Sequence, residues 1–288
     1  MLSFQKQHDF VLCVDSDGCV IDGMTIKHLE CFGPALLEIF DFMGDAHEIL
    51  EHWNKINLYA STRGINRFKG LLLLLQHAVA KGWLVLDLTA LTQWADTASE
   101  LSNQSLQQQI LLCKQQANGS EVPQHGQALQ LALDWSLCVN QKVNAMPEEK
   151  KLVFPAAKDA LHQVKDVVDV VVVSSANAAA VQEEWAYNQM LDLPDLVLTQ
   201  EHGSKKDCLC QLLALGYTPN QIIMLGDSPG DIIAAKESGV LYYPIPPSQE
   251  NEAWQVFCER YFPMFLQGHY QEKQMQACEA SYYDTLAK

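Results

Sequence analysis

The chain has 288 residues, of which 48% are hydrophobic, and it carries a formal net charge of −16 at pH 7. This length predicts two domains, and the acidic balance argues against nucleic acid, anionic membrane surfaces or a broad basic patch as the binding partner or site. An anionic substrate would need local cations, supplied by a metal ion and a few lysine or arginine side chains.

Neither a targeting signal nor a disulfide framework is predicted. The first ten residues contain no long apolar segment, so no secretory signal is expected. The most apolar tract, which begins at Gly70, is interrupted by Gln76, His77 and Lys81 and is typical of a buried helix rather than of a membrane span. The nine cysteines include no Cys-x-x-Cys pair, which indicates reduced thiols. We therefore expect a cytoplasmic protein, either a monomer or a homodimer.

The first predicted element is a short strand that begins near Phe10 and ends in Asp15-Ser-Asp17-Gly18. A short run rich in valine and leucine is typical of a buried parallel strand, and ligands of such sheets bind just beyond the carboxyl ends of the strands. Residues two apart on a strand face the same side, so Asp15 and Asp17 could enter one pocket. A bound Mg²⁺ would keep both carboxylates ionised. The alternative interpretation is a polar turn after a core strand.

Residues from about 27 to 152 are predicted to be almost wholly helical. Apolar residues recur there at three-to-four spacing, with Gly, Pro or Asn near the breaks. The predicted helices span residues 27–41, 45–56, 63–81, 89–116 and 122–144.

The sequence after Lys151 alternates between helices and strands. The predicted strands are 167–173, 195–199, 221–226 and 240–244, and the predicted helices are 155–165, 176–191, 205–215 and 231–238. This alternation predicts an α/β fold with a doubly wound parallel sheet, interrupted after its first strand by an all-helical domain. The C-terminal segment 250–287 is predicted to be an amphipathic helix whose aromatic residues pack on the core, with a dimer interface as the alternative.

Each later strand or helix of the α/β part carries a polar group near the predicted edge of the sheet. Ser174 and Ser175 follow one strand and could hold phosphoryl oxygens, although such residues are commonly helix N-caps. Lys205 and Lys206 open a helix, where lysines are commonly solvated. Asp227 and Asp231 follow another strand, where an acidic turn is commonplace. The conjunction of all these features is what indicates a functional site.

Together these features resemble the haloacid dehalogenase superfamily of phosphatases. Its first motif matches residues 15–18, its second matches Ser174, its third matches Lys205 with Lys206 as the close alternative, and its fourth matches residues 226–231. The resemblance implies a Rossmann-like core in residues 1–22 and 153–288, which includes the C-terminal helical tail. It also implies a helical cap domain in residues 23–152. The chain is further similar to an uncharacterised subgroup of hydrolases, which implies no substrate.

This resemblance implies a Mg²⁺-dependent phosphatase that hydrolyses a small phosphorylated metabolite through an aspartyl phosphate. Asp15 is then the nucleophile, and Asp17 is the general acid and base. The residues implied to bind Mg²⁺ are Asp15, Asp17 through its backbone carbonyl, Asp227 and Asp231. Those implied to bind phosphoryl oxygens are Ser174, Ser175 and Lys205.

Two alternative functions remain open from the sequence. A sugar phosphomutase of the same superfamily would return the phosphoryl group to its substrate instead of to water. A catalytically idle scaffold would use the aromatic tail for partners, but the complete motifs argue against it. An acid at position 17 fits phosphatases and phosphomutases, whereas the dehalogenases of the superfamily lack it.

Two arginines of the predicted cap are candidate substrate-binding residues. The whole chain has only 19 Lys and Arg, yet Arg63, Arg67 and Lys69 lie within seven positions. If residues 63–81 form one helix, Arg63 and Arg67 share a face, and the planar fork of arginine suits a carboxylate or a second phosphate. The alternative is that both arginines pair with surface acids.

Overall fold

The chain folds into two compact units in the computed structural model, which describes residues 4–116 and 126–286. The first unit, called the α/β unit below, comprises Met1–Thr25 and Pro147–Lys288. The second, called the helical unit, comprises Ile26–Met146.

Helices account for the regular structure of the helical unit. Their bounds, counting one helix at the junction of the units, are α1 Met24–Lys27, α2 Gly33–Ile39, α3 Ala46–Asn54, α4 Arg67–Ala80, α5 Thr89–Thr97, α6 Asn103–Gln116 and α7 Gln127–Ala145. Two π-helical turns, His28–Phe32 and Lys55–Tyr59, continue α1 and α3. The apolar faces of these helices enclose one core that contains Trp53, Phe68 and Trp135.

Two predicted helices of this unit differ from the structure, and a third lies partly outside the described residues. The segment 89–116 is two helices rather than one, because the chain becomes extended at Ala98 and Ser102 accepts a hydrogen bond from the Ser105 amide at the start of α6. The predicted helix 63–81 begins only at Arg67. Of the predicted helix 122–144, residues 122–125 lie outside the described residues.

A five-stranded parallel sheet forms the centre of the α/β unit. Its strands are β1 Val11–Val14, β2 Asp169–Val173, β3 Leu196–Leu198, β4 Ile222–Gly226 and β5 Leu241–Pro244. They lie in the order β3-β2-β1-β4-β5, and every pairing between neighbours is parallel. The predicted doubly wound α/β fold is therefore confirmed. The order reverses direction between β1 and β4, which is where open α/β sheets bind their ligands.

Helices cover both faces of this sheet. They are α8 Pro155–Val164, α9 Ala178–Tyr187, α10 Lys205–Ala214, α11 Pro229–Ser238, α12 Glu250–Val256, α13 Phe262–Leu266 and α14 Glu272–Leu286. Alternate residues of β1 enter opposite cores: Leu12 packs with the residues of α8 and α9, and Cys13 packs with those of α10 and α11. The valine-rich strands are buried on both sides for this reason.

The C-terminal tail is three helices rather than the single predicted one. A π-helical turn at Phe257–Tyr261 and the left-handed Gly268 (φ +70°) interrupt it. Trp254, Phe257 and Phe265 are fully buried in the core beside the sheet. Among the residues that the structure describes, no helix has both the length and the apolar character needed to cross a membrane.

Candidate active site

The segment after β1 is a tight loop that holds Asp15 at the carboxyl edge of the sheet. The Asp15 amide donates to the carbonyl of Leu225 in β4 (2.9 Å), which continues the sheet by one residue. The amide of Ser16 donates to Asp15 Oδ1 (2.8 Å). Gly18 has a φ of +87°, a conformation that few residues other than glycine adopt. The Asp15 side chain is buried, and Asp17 is partly exposed.

Lys205 joins two carboxylates of the site. As the first residue of α10 it follows the N-cap Ser204, whose hydroxyl accepts from the Asp207 amide. Its Nζ atom lies 2.6 Å from Asp15 Oδ2 and is also paired with Asp231 Oδ1. Lys206, by contrast, forms an exposed ion pair with Glu237 at 3.1 Å. Only the first of the two candidate lysines therefore reaches Asp15.

The fourth predicted motif supplies two further buried acids. Asp227 follows β4 directly, and Asp231 lies in the first turn of α11. The other oxygen of Asp231, Oδ2, accepts from the amide (3.0 Å) and the hydroxyl (2.7 Å) of Ser228. A Cβ atom on Gly226 would overlap the Asp231 carboxylate, so glycine at this position is required for the acid to pack there.

Asp15, Asp227 and Asp231 form one compact oxygen cluster. One carboxylate oxygen from each lies within 4.8 Å of the others, and all three residues are buried. The pKa of Asp15 is raised to about 8, mainly by burial; the ammonium of Lys205 lowers it, and the neighbouring charges of Asp231 and Asp227 raise it. Burial disfavours the ammonium of Lys205, but the charges of Asp15 and Asp231 outweigh it and raise the pKa of Lys205 above its usual range. The lysine therefore stays protonated.

These side chains fit a divalent magnesium ion. The three carboxylates, when ionised, carry three negative charges, and Lys205 balances one of them. A hard dication bound by oxygen atoms would balance the other two and would keep Asp15 ionised despite its burial. The cluster contains no nitrogen or sulfur donor, which agrees with a preference for magnesium over zinc.

The predicted phosphate-binding serines differ in their environments. Ser174 follows β2, which pairs with β1, so its backbone is at the same edge of the sheet as Asp15. It is buried, and its Oγ atom accepts from the amide of Ala176 (3.1 Å). Ser175 is exposed. In the described part of the chain neither serine forms a hydrogen bond to the acid cluster, and the role of both in phosphate binding stays a prediction.

Three residues that the sequence did not single out as site residues donate hydrogen bonds to its loops. Trp185 Nε1 donates to Ser16 Oγ (2.9 Å), and Trp254 Nε1 donates to the carbonyl of Cys19 (2.8 Å). Tyr282 in α14 donates its hydroxyl proton to the carbonyl of Asp227 (2.7 Å). All three donors are buried. Because Trp254 and Tyr282 belong to the C-terminal tail, the tail helps to fix the loops that carry the acids. The aromatic residues of the tail were the feature of the sequence that could have indicated these contacts.

The two arginines of the helical unit do not share a helix face. Asn66 caps α4 by accepting from the Phe68 amide (2.9 Å), and Gly64 is left-handed (φ +71°), so Arg63 lies before the helix. The shared face inferred from helical spacing is therefore wrong. Arg63 is buried and donates to the carbonyl of Leu58 (2.9 Å). Arg67 is partly buried and donates to neutral side chains of α7, which are described below.

A family model described as haloacid dehalogenase-like hydrolase matches residues 92–243, which is more than half of the chain. The match includes Ser174, Lys205, Asp227 and Asp231. Strand β1 and the C-terminal tail lie outside it. No curated protein matches the sequence.

Solved structures share the fold at low sequence identity. A putative beta-phosphoglucomutase from Thermotoga maritima superposes with a TM-score of 0.52 at 14% identity, and the alignment covers 87% of this chain and 99% of that one. A putative phosphoglycolate phosphatase from Lactobacillus delbrueckii gives a TM-score of 0.49 at 16% identity, with 92% of each chain covered. At 14% identity the likeness to the Thermotoga maritima structure is one of fold.

Proposed function

Because this chain belongs to the family of haloacid dehalogenase-like hydrolases, we propose that it is a magnesium-dependent phosphatase that hydrolyses a small phosphorylated metabolite. The observation that carries the proposal is the convergence of Asp15, Lys205, Asp227 and Asp231 at one edge of the sheet. These residues come from three segments of the chain that are far apart in sequence. They bring together a nucleophile, a cation and oxygen ligands for a metal.

Asp15 is the proposed nucleophile. Its Oδ1 atom is held by the Ser16 amide and its Oδ2 atom by Lys205, so the carboxylate has a fixed orientation. One of its oxygens forms a bond to phosphorus while the bond from phosphorus to the leaving oxygen breaks. Asp17 donates a proton to that oxygen. This first half-reaction leaves an aspartyl phosphate on Asp15.

Hydrolysis of that acyl phosphate completes the proposed cycle. Asp17, now ionised, accepts a proton from water as the water oxygen attacks phosphorus, and the bond from phosphorus to Asp15 breaks. Inorganic phosphate leaves, and both carboxyl groups return to their starting states. The partial exposure of Asp17 agrees with a group that exchanges protons with a leaving oxygen and with water.

The remaining residues orient the phosphoryl group and compensate its charge. Asp15, Asp227 and Asp231 would hold Mg²⁺, together with the backbone carbonyl of Asp17, and the bound ion would supply electrostatic stabilisation of the phosphoryl oxygens. Lys205 neutralises negative charge beside Asp15, and Ser174 donates its hydroxyl to a phosphoryl oxygen. Ser175 is assigned to the same phosphate-binding loop. We also propose that the helical unit is the cap that selects the substrate.

Metal dependence tests this proposal. The full-length protein should hydrolyse p-nitrophenyl phosphate with Mg²⁺, lose that activity in excess EDTA and regain it when Mg²⁺ is restored. Asp227→Ala should raise the Mg²⁺ concentration required for half-maximal activity or abolish turnover, because it removes a buried ligand. Asp166→Ala is a matched control, because Asp166 is an exposed aspartate before β2, at the end of that strand opposite to the acid cluster. Undiminished activity in EDTA would contradict the proposal.

A further inference from the structure

The helical unit contains a partly buried cation, Arg67, that has no counter-ion among the described residues. Arg67 Nη1 donates to Asn140 Oδ1 (2.7 Å) and to Ser136 Oγ (3.2 Å), and its guanidinium carbon lies 5.2 Å from the centre of the Phe32 ring. All of these partners are neutral. Within residues 4–116 and 126–286, Arg67 has no ion pair with a carboxylate. Burial lowers the pKa of Arg67, as expected for a cation whose lost hydration is not replaced by an opposite charge.

Two buried ring nitrogens beside this arginine also lack partners. His28 stacks on Phe32, with 4.6 Å between ring centres, and lies 5.5 Å from the ring of Trp53. Over the described part of the chain, neither His28 Nδ1 nor Trp53 Nε1 has a hydrogen-bond partner. The indole nitrogen can only donate, and the imidazole nitrogen donates in one tautomer. Trp135, in the same ring cluster, does have an acceptor, the carbonyl of Phe32 (3.3 Å).

The unpartnered groups of Arg67, His28 and Trp53 could all interact with an anionic ligand that has acceptor oxygens. Arg67 lacks a negative charge, and Trp53 lacks an acceptor. His28 and Arg67 both contact the Phe32 ring, and His28 also contacts the Trp53 ring, so the three side chains belong to one cluster. A water molecule would satisfy one donor but would leave the charge of Arg67 unbalanced. A ligand with two or three anionic oxygens would balance the charge of Arg67 and would offer acceptors to the donors of the same cluster, and the guanidinium fork suits carboxylate and phosphate.

The neighbouring side chains hold Arg67 in place for such a ligand. Ser136 and Asn140 are one turn apart on α7, and Ser136 in turn donates to Asn103 Oδ1 in α6 (2.7 Å). This chain of hydrogen bonds engages Nη1 of the guanidinium, and Nη2 and Nε form no hydrogen bond to any other described residue. Because Arg67 is only partly buried, a small molecule can approach it.

We propose that Arg67, His28 and Trp53 form an oxyanion-binding site within the helical unit, which takes the carboxylate or phosphate group of a small metabolite. Arg67 supplies the charge and two N–H donors, and the two ring nitrogens supply further donors. Arg63 is not a member of the site. This inference concerns binding alone and does not rest on the proposed phosphatase activity.

Binding of two simple anions tests the site in the full-length protein. Malonate represents a carboxylate ligand and inorganic phosphate a phosphate ligand, and both are titrated by calorimetry in EDTA with chloride as the reference salt. Intrinsic tryptophan fluorescence provides a second readout, because Trp53 is in the site. We expect saturable binding of at least one anion, and the tighter of the two identifies the ligand class.

Three variants distinguish this site from other anion contacts. Arg67→Gln should weaken binding by about tenfold or more, as expected for a charged hydrogen bond, and His28→Phe by a few-fold. Lys69→Gln is the matched control, since Lys69 is an exposed cation two residues along the same helix, and it should leave the affinity unchanged. Circular dichroism checks that each variant is folded. Absence of saturable binding, or equal losses in Arg67→Gln and Lys69→Gln, would overturn the proposal. If Arg67→Gln does not fold, undiminished binding by His28→Phe would overturn it.

Discussion

The two units of the protein both bury charged side chains, but they leave unbalanced charge of opposite sign. In the α/β unit, three buried carboxylates surround one ammonium, that of Lys205, so the excess is negative. In the helical unit, Arg67 contacts an amide, a hydroxyl and a ring, so the excess is positive. Buried charge is costly unless it is compensated. This difference supports the proposal of a cation as ligand of the first region and of an anion as ligand of the second.

The two regions also differ in how firmly their polar groups are held. The carboxylates of Asp15 and Asp231 are held by the amide of Ser16, by the amide and hydroxyl of Ser228 and by the ammonium of Lys205. Residues of the tail donate hydrogen bonds to the backbone of the same loops. Such an arrangement is pre-organised for chemistry. In the helical cluster, by contrast, two ring nitrogens have no partner among the described residues, so a ligand would complete the structure as well as bind to it.

The largest effect in this group of predictions concerns the proposed general acid. Asp17→Asn should slow turnover by roughly 10²–10⁴-fold, because an amide cannot transfer the proton. The loss should be smaller for p-nitrophenyl phosphate than for an alkyl phosphate, since a good leaving group needs little protonation. Steady-state rates on both substrates measure this. An equal loss on both would argue against the acid role and would weaken the assignment of chemistry to the α/β unit.

A smaller effect is expected from the tail. Tyr282→Phe removes the hydroxyl that donates to the Asp227 carbonyl. From the usual free-energy contribution of one hydrogen bond, we expect a roughly threefold to tenfold increase in the Mg²⁺ concentration needed for half-maximal activity. Tyr270→Phe is a matched control. It removes an equally buried bond from the tail to the carbonyl of Tyr242 in β5 (2.8 Å), away from the acids. The same Mg²⁺ requirement in both variants would mean that Tyr282 serves stability alone.

The last prediction concerns stability rather than rate, and it separates the helical cluster from the α/β unit. Burial, followed by the charges of Arg63, Arg67 and Lys27, lowers the pKa of His28 from 6.5 to about 3. Between these values the unfolded chain binds a proton that the folded chain does not, so stability falls as pH drops from 6.5 towards 3. At pH 5 the expected loss is about 2 kcal/mol.

Urea unfolding of His28→Phe at pH 7 and pH 5, without added oxyanions, measures this contribution. The variant should lose about 2 kcal/mol less than the wild type on acidification, because phenylalanine cannot take up a proton. His47→Gln, which replaces an exposed histidine, should retain the dependence of the wild type. If His28→Phe keeps the wild-type pH dependence, His28 is not the buried neutral group described here.

The sequence predicts the α/β site better than the helical cluster because the first depends on local signals. Asp15 and Asp227 each follow a strand directly, and the parallel sheet brings such strand ends together whatever lies between them. The choice between Lys205 and Lys206 needed the structure, because both lie in the first turn of one helix and only their direction differs. Lys206 turns to Glu237.

Contacts between distant residues account for what the sequence did not predict. Trp185 and Ser16 are 169 residues apart, and Tyr282 and Asp227 are 55 apart. No periodicity relates His28, Trp53 and Arg67, which meet only because their helices pack around Phe32. The start of α4 at Arg67 was accessible in principle, since Gly64 and Asn66 are typical residues of a left-handed turn and an N-cap.

The proposed activity depends on transfer of a phosphoryl group from the substrate to Asp15 in the acid cluster of the α/β unit. The most direct measurement is acid quenching of the protein during turnover with Mg²⁺, followed by mass spectrometry of its peptides. We expect the mass of one phosphoryl group on the peptide that contains Asp15, and no such added mass in Asp15→Asn, which should be folded but inactive. A phosphoryl group on another residue, or full turnover by folded Asp15→Asn, would contradict it.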